Sequence, residues 1–404
     1  CKLTVEDCHN YGHLTVSSKT SALGANTNYA GIIGLLYGST SGTSVKNCSN
    51  NGDVVTKMPT TQEHLNAGIV ANLQKNAEII ECTNNGKIEN PLNVSAKSRI
   101  GGIVAISQSL STGGSFKISS CVNKGDVITR NIQLDKSLGG IVGYVKVNTT
   151  ISDCANEGDI LCLSDIGGAA HVGGITGYSA SAVGVQKCTS SGNIKYESIT
   201  TGTGTAYVAG ICALCSSANV SLSENINSSD ITVNYTGGAK KAIMTGGIAS
   251  VMDKTGEIIS KCENKGKVTL NYTGTHYVCA GGILSRSVSV TLDNNINHAT
   301  GAVTINASTS NQLCAAGGII GDPNGKVVIT NNTNYAPVST INTHASPYAY
   351  AGGIFGSDCE GALHASGKGA KSVSGNVNYG SIYAKTQNTA MVNSTYAGAS
   401  AAGS

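Results

Sequence analysis

Apolar and polar positions alternate in short runs, and one such run returns eleven times along the chain, roughly every 36 residues. Its fullest form is Ile118-Ser119-Ser120-Cys121-Val122-Asn123-Lys124-Gly125-Asp126-Val127. The letter at Cys121 recurs as Cys8, Cys48, Cys82, Cys154, Cys188 and Cys262, and is replaced by Asn225, Asn295, Asn332 and Asn376. Two residues on stand Asn10, Asn50, Asn84, Asn123, Asn156, Ser190, Asn227, Asn264, Asn297, Asn334 and Asn378. Two further the residue is mostly Gly, with Ser229, Ala299 and Ala336 as departures, and an aliphatic residue follows. In the ninth unit that residue, Val303, comes late because Thr300 and Gly301 are inserted.

These four letters share one parity, so on an extended chain they face one side, and the variable residues between them face the other. The aliphatic residue three before each anchor (Val5, Ile79, Ile118, Ile151) has the opposite parity. A bulge or corner is therefore expected between it and the anchor. The Gly of the Asn-x-Gly step suits a second corner with positive φ. A second phrase, Gly102-Ile103 and its counterparts from Gly31-Ile32 to Gly353-Ile354, marks a third corner or a close backbone approach.

No apolar pattern recurs at three and four residues over a helical length, and Val, Ile, Thr and Tyr dominate the strand candidates. The prediction is all-β: a parallel β-helix, or β-solenoid, of about ten to eleven coils of roughly 36 residues with three short strands per coil. Residues 1–404 read as a single elongated domain. Because Val5 to Cys8 already stands in register, the chain reads as a segment of a longer protein; acylation of Cys1 in a processed lipoprotein is the alternative.

Composition narrows the function classes. Charged residues are 12% and the net charge is +3, with no basic stripe for nucleic acid. No apolar run reaches the length of a membrane span. Seven of the fourteen Cys fill the anchor column, where Asn substitutes freely. That points to small inward positions held as reduced thiols, with coil-to-coil disulfides as the alternative. Cys212-Ala213-Leu214-Cys215 has redox or zinc spacing, but Cys212 also fills a column of apolar residues. Asp53, Asp126, Asp159 and Asp230 share a column that Lys87 and Lys267 interrupt, which argues against calcium.

The Cys and Asn columns are expected to be a structural ladder, the Asn amides bonding along the stack. Candidate binding residues are Thr232, Thr269 and Thr304, an outward hydroxyl row, with Tyr235 and Tyr272 stacking beside them for glycan contact. Tyr29, Tyr37, Tyr144, Tyr178, Tyr207, Tyr277, Tyr348 and Tyr350 cluster near the Gly-Gly-Ile phrase and would either form a partner surface or cover the glycine backbone. No catalytic residues, cofactor or metal are expected; Asp253, Glu257, Asp358 and Glu360 fall outside the columns but nothing in the spacing brings them together.

The phrase Gly139 to Gly143 followed by Ile151-Ser152-Asp153-Cys154-Ala155-Asn156-Glu157-Gly158 resembles the GLUG-type repeats of large secreted and surface-attached proteins. That resemblance implies an extracellular or cell-surface β-solenoid serving as a rigid stalk or adhesive contact surface, with other surface proteins, glycans or copies of itself as partners. A glycan-binding or polysaccharide-cleaving β-helix, and a self-assembling fibre subunit, are the competing expectations.

Overall fold

The structure is a computed structural model that describes residues 3–17, 27–37, 42–57, 63–90, 97–108, 114–130, 135–163, 168–198, 204–238, 241–309, 313–344, 348–357, 372–386 and 397–398. It is all-strand, with no helix among the described residues. Parallel strands stack as a β-solenoid, each coil lying over its counterpart about 36 residues away, with three strands per coil.

One coil shows the pattern. A strand before the anchor (Thr149–Ser152) turns into a two-residue rung (Ala155–Asn156), and a second strand follows the glycine (Ile160–Leu163). The third side bends at the Gly-Gly-Ile phrase into two segments, Ala170–Gly173 and Thr176–Ser179. The rungs, the post-glycine strands and the segments before the bend each form an eleven-stranded sheet. In two later coils the segment after the bend runs straight into the next anchor strand, giving Leu284–Asp293 and Ile320–Thr330. With strands about 4.8 Å apart, eleven coils make a stack roughly 50 Å long.

Register follows the letters. Ile79, Ile118, Ile151 and Val185 pair in turn, as do Asn84, Asn123 and Asn156. The insertion at Thr300 is absorbed locally, since Gly301 N–H bonds the His298 carbonyl and Val303 still pairs with Val268. Cys121, Asn123, Gly125 and Val127 are all buried while Lys124 and Asp126 are exposed, which is the alternation their parity requires.

The corner between upstream aliphatic and anchor exists, and it always falls on the residue just before the anchor. Asp7, Asn47, Glu81, Ser120, Asp153, Lys187, Glu224, Lys261, Asn294, Asn331 and Gly375 there have φ between 50° and 65°. This left-handed residue reverses the parity, so the upstream aliphatic residue and the anchor, three apart, both point inward.

The second corner has a different cause from the one expected. The Asn-x-Gly glycines stay out of the left-handed region; they are required because a Cβ at Gly125 would run into the carbonyl of Gly86 one coil away. The Gly-Gly-Ile phrase is likewise a close approach. A Cβ on Gly102 would strike both the Gly140 carbonyl and the Asn123 side chain. The two signature phrases therefore face each other across the interior and are mutually required.

Candidate functional site

Three features of the stack carry its polar chemistry: the ladder at the anchor corner, the outer side of the bend, and one neutral outer face.

At the corner, most Asn amides donate one hydrogen to their counterpart in the next coil and the other to the carbonyl two residues on. Asn123 Nδ2 lies 2.8 Å from Asn156 Oδ1 and 2.8 Å from the Gly125 carbonyl. One such run joins Asn10, Asn50, Asn84, Asn123 and Asn156 at 2.7–2.8 Å. A second joins Asn227, Asn264, Asn297, Asn334 and Asn378 at 2.7–2.9 Å. Ser190 separates them. Its shorter side chain meets Ser229, which stands where Gly is usual, hydroxyl to hydroxyl at 2.8 Å.

The anchors form a parallel column, and its geometry explains why Cys and Asn exchange. Cys154 Sγ accepts the Cys121 N–H at 3.5 Å and donates toward the Ile118 carbonyl at 3.7 Å. Asn225 does the same for the preceding coil, accepting the Cys188 N–H at 2.9 Å and donating to the Val185 carbonyl at 2.8 Å. Both side chains close the same pair of backbone groups; the amide does so at ordinary hydrogen-bond length. Cys8 is exposed, whereas Cys48, Cys82, Cys121, Cys154, Cys188 and Cys262 are buried and free. Burial pushes the thiol of Cys48 up to about 11 and that of Cys262 up to about 12, so neither offers a thiolate at neutral pH. Cys1 and Cys359 lie outside the described residues.

The Asp column also bonds across coils. Asp53, Asp126, Asp159 and Asp230 each accept the backbone N–H of the residue stacked one coil further on, at 2.7–3.1 Å. Among the described residues no group of three or more His, Cys, Asp or Glu could hold a metal.

The outer side of the bend is the feature that parity misses. Because the chain folds back at Gly-Gly-Ile, outward side chains of the two segments converge into a longitudinal crease. One wall carries Arg99, Ser137, His171, Tyr207 and Met244, stacked in register. The other carries Ile106, Tyr144, Tyr178, Leu214 and Val251. Arg99 bonds Ser137 Oγ at 2.9 Å, pairs with Glu63 at 3.3 Å and lies 4.6 Å from the Tyr144 ring centre. His171 is sandwiched between Tyr178 (4.6 Å) and Tyr207 (5.3 Å), with Nδ1 donating to the Lys136 carbonyl at 3.1 Å. Burial, helped by the Arg99 charge, lowers His171 to about 4. Farther along, Arg286 contacts Asp322 at 3.4 Å and the Tyr277 hydroxyl at 3.2 Å. Tyr144, Tyr178, Tyr207, Tyr277 and Tyr350 thus cover the bend and form a second, external core, whereas Tyr29 packs against the interior and Tyr37 is exposed.

The neutral face lies on the post-glycine sheet. Thr232, Thr269, Thr304 and Ser339 are in register, outward and half-buried. Beside them Asn271 donates to Asn234 at 2.8 Å and Asn306 to Asn271 at 2.9 Å. A shallow groove of about 320 Å³ crosses this face, lined by Thr236, Asn271, Thr273, Asn306, Ser308 and Thr343 together with the buried Tyr235 and Tyr272. Tyr235 and Tyr272 do stack, 5.2 Å apart, but they do not belong to the outward face: their exposures are 0% and 2%. They share the parity of Ile231 and Val233, so they point inward, and the expectation that they present a surface for sugars is corrected. Inside, the fully buried Lys241 lies 5.4 Å from the Tyr196 ring and 5.8 Å from that of Tyr235. Burial, reinforced by Lys136, lowers its amine to about 8.

Of the carboxylates outside the columns, Glu257 is buried in the interior and burial raises it to about 9. Asp358 and Glu360 lie outside the described residues. No helix among the described residues is long and apolar enough to cross a membrane. Comparison with known proteins gave no match to a family model, a curated protein or a solved structure.

Proposed function

We propose that this chain is a structural β-solenoid, a rigid spacer and contact surface displayed outside the cell, as its resemblance to GLUG-type repeats implies. The observation that supports it is the pair of Asn ladders, each tying five successive coils through a chain of amide hydrogen bonds, with both donors engaged at Asn84, Asn123 and Asn264. Such a stack resists bending because any opening breaks several buried hydrogen bonds at once. The test is a distance measurement between fluorophores on unnatural residues at Glu78 and Val328. These outward positions share a column seven coils apart. One narrow distance of roughly 34 Å is expected; a broad distribution would rule out a rigid spacer.

One observation favours a second reading, glycan contact through the face carrying Thr232, Thr269 and Thr304. Its outward amides and hydroxyls are uncharged over several coils, and the Lys195–Glu197 pair bounds it in the preceding coil. Binding of a neutral polysaccharide that Thr269→Lys abolishes would support this reading. Binding that survives the substitution would remove it.

A further inference from the structure

Cys212 and Cys215 differ from the other thiols. Both point into the interior from one strand, and their sulfurs lie 2.7 Å apart. The segment after the bend makes this contact. Its ladder pairs Cys212 with Thr176, Leu214 with Tyr178 and Cys215 with Ser179, while Ala213 is passed over at the crease. Two residues therefore point outward in succession, and the flanking thiols meet inside. Both are fully buried, but Cys215 directly precedes a turn, Ser216 to Asn219, whose last two residues are exposed.

The anchor column offers a revealing contrast. There the thiols are related by translation from coil to coil, so their Cβ atoms are spaced by about 4.8 Å. A disulfide needs about 3.5–4.5 Å between Cβ atoms. Cys121 and Cys154 are adjacent in the stack, yet the Cys154 sulfur is engaged by the Cys121 N–H and aimed at the Ile118 carbonyl. Neighbouring anchor thiols also interact along the column, but among the described residues the close sulfur-to-sulfur contact is that of Cys212 and Cys215.

We propose that Cys212 and Cys215 are a redox modification site, a dithiol that a small peroxide converts to an intrachain disulfide bracing the crease. One sulfur, as thiolate, attacks the peroxide oxygen to give a sulfenic acid and the first water. The second sulfur displaces the hydroxyl, releasing the second water and closing the S–S bond. Two thiols are oxidised by two electrons and one peroxide is reduced. Access comes through opening of the neighbouring turn, since both sulfurs are covered in the closed state. Hydrogen bonding to Cys212, together with burial, keeps the proton on Cys215, so closure is faster at alkaline pH.

The test uses the whole folded chain treated with hydrogen peroxide, then alkylated in denaturant and digested with trypsin. The fragment 196–240, bounded by Lys195 and Lys240, contains Cys212 and Cys215 and no other cysteine. The expected product is that fragment two hydrogens lighter and unalkylated, while fragments carrying Cys121 and Cys154 stay fully alkylated. Cys212→Ser should abolish the change and Cys154→Ser should leave it intact. Both variants are checked for native circular dichroism first; if Cys212→Ser does not fold, Cys215→Ala replaces it. Full alkylation of 196–240 after peroxide would overturn the proposal. So would closure no faster than random pairing among the anchor thiols.

Discussion

The anchor corner and the crease are built from the same backbone repeat, yet they solve stacking in opposite ways. At the corner each coil uses the same letters, and a single amide geometry propagates from Asn84 to Asn123 to Asn156. In the crease nearly every coil differs: Arg99, Ser137, His171, Tyr207 and Met244 follow one another on one wall. Identity suits the corner because an amide is both donor and acceptor, so it complements a copy of itself. Arginine and histidine do not stack on themselves without charge repulsion or lost hydrogen bonds, so the crease alternates cation, hydroxyl and ring. The corner supplies uniformity, and the crease supplies individuality to each coil.

That contrast is sharpest at the glycine linking the two. Gly140→Val should have the largest effect, because the new side chain meets both the Gly174 carbonyl and the Asn156 amide. A loss of about 4 kcal/mol or more is expected, measured by denaturant unfolding. Asn123→Leu keeps the branched shape but deprives Asn84 of its acceptor and leaves the Asn156 oxygen without its donor. About 3 kcal/mol should be lost, whereas Ser137→Ala in the crease should lose about 1 kcal/mol by removing one bond from Arg99. Equal losses at the two sites would erase the distinction between them.

The crease should also be acid-sensitive, as should the interior at His64, which burial likewise lowers to about 4. His171 is held neutral, with its pKa lowered to about 4 against an ordinary value near 6.5. The unfolded chain therefore binds the extra proton first as pH falls. Stability is complete above about 6.5 and is lost progressively down to about 4, by about 1.4 kcal/mol per unit. His171→Phe should reduce the slope of that part of the stability–pH curve by its own share, leaving the share of His64. An unchanged curve would place the acid sensitivity elsewhere.

The smallest effect is expected at the left-handed residue before the anchor. Lys187 has φ 53°, whereas the last coil uses Gly375 at φ 65°. Lys187→Gly should stabilise by about 0.5–1 kcal/mol, relief of the left-handed penalty outweighing the added freedom of the unfolded chain. Destabilisation would mean that the long side chain contributes more than its backbone costs.

Much of this was legible in the letters. The parity clash between Ile118 and Cys121 required a corner between them, and the structure places it on Ser120. The reason for the glycines was not legible, because a collision between Gly125 and Gly86 involves residues a full coil apart. Nor was the crease, since outward parity ordinarily means solvent and here the strand folds back over its own outer face. Tyr235 failed the other way. Its ring looked like a surface platform beside Thr232 and Asn234, but its parity with Ile231 and Val233 put it inside. The CxxC spacing was visible, while the convergence of its sulfurs depends on the doubled outward step at Ala213 and Leu214.

The most direct test is removal of one whole coil. Deleting residues 121–153 joins Ser120 to Cys154, so the left-handed residue and anchor keep their order and Asn84 meets Asn156. The stacked-coil structure predicts a β-rich protein that still unfolds cooperatively, while deletion of 121–137, about half a coil, leaves an unfolded chain. If both deletions unfold alike, or both fold, the repeated letters are not stacked coil upon coil.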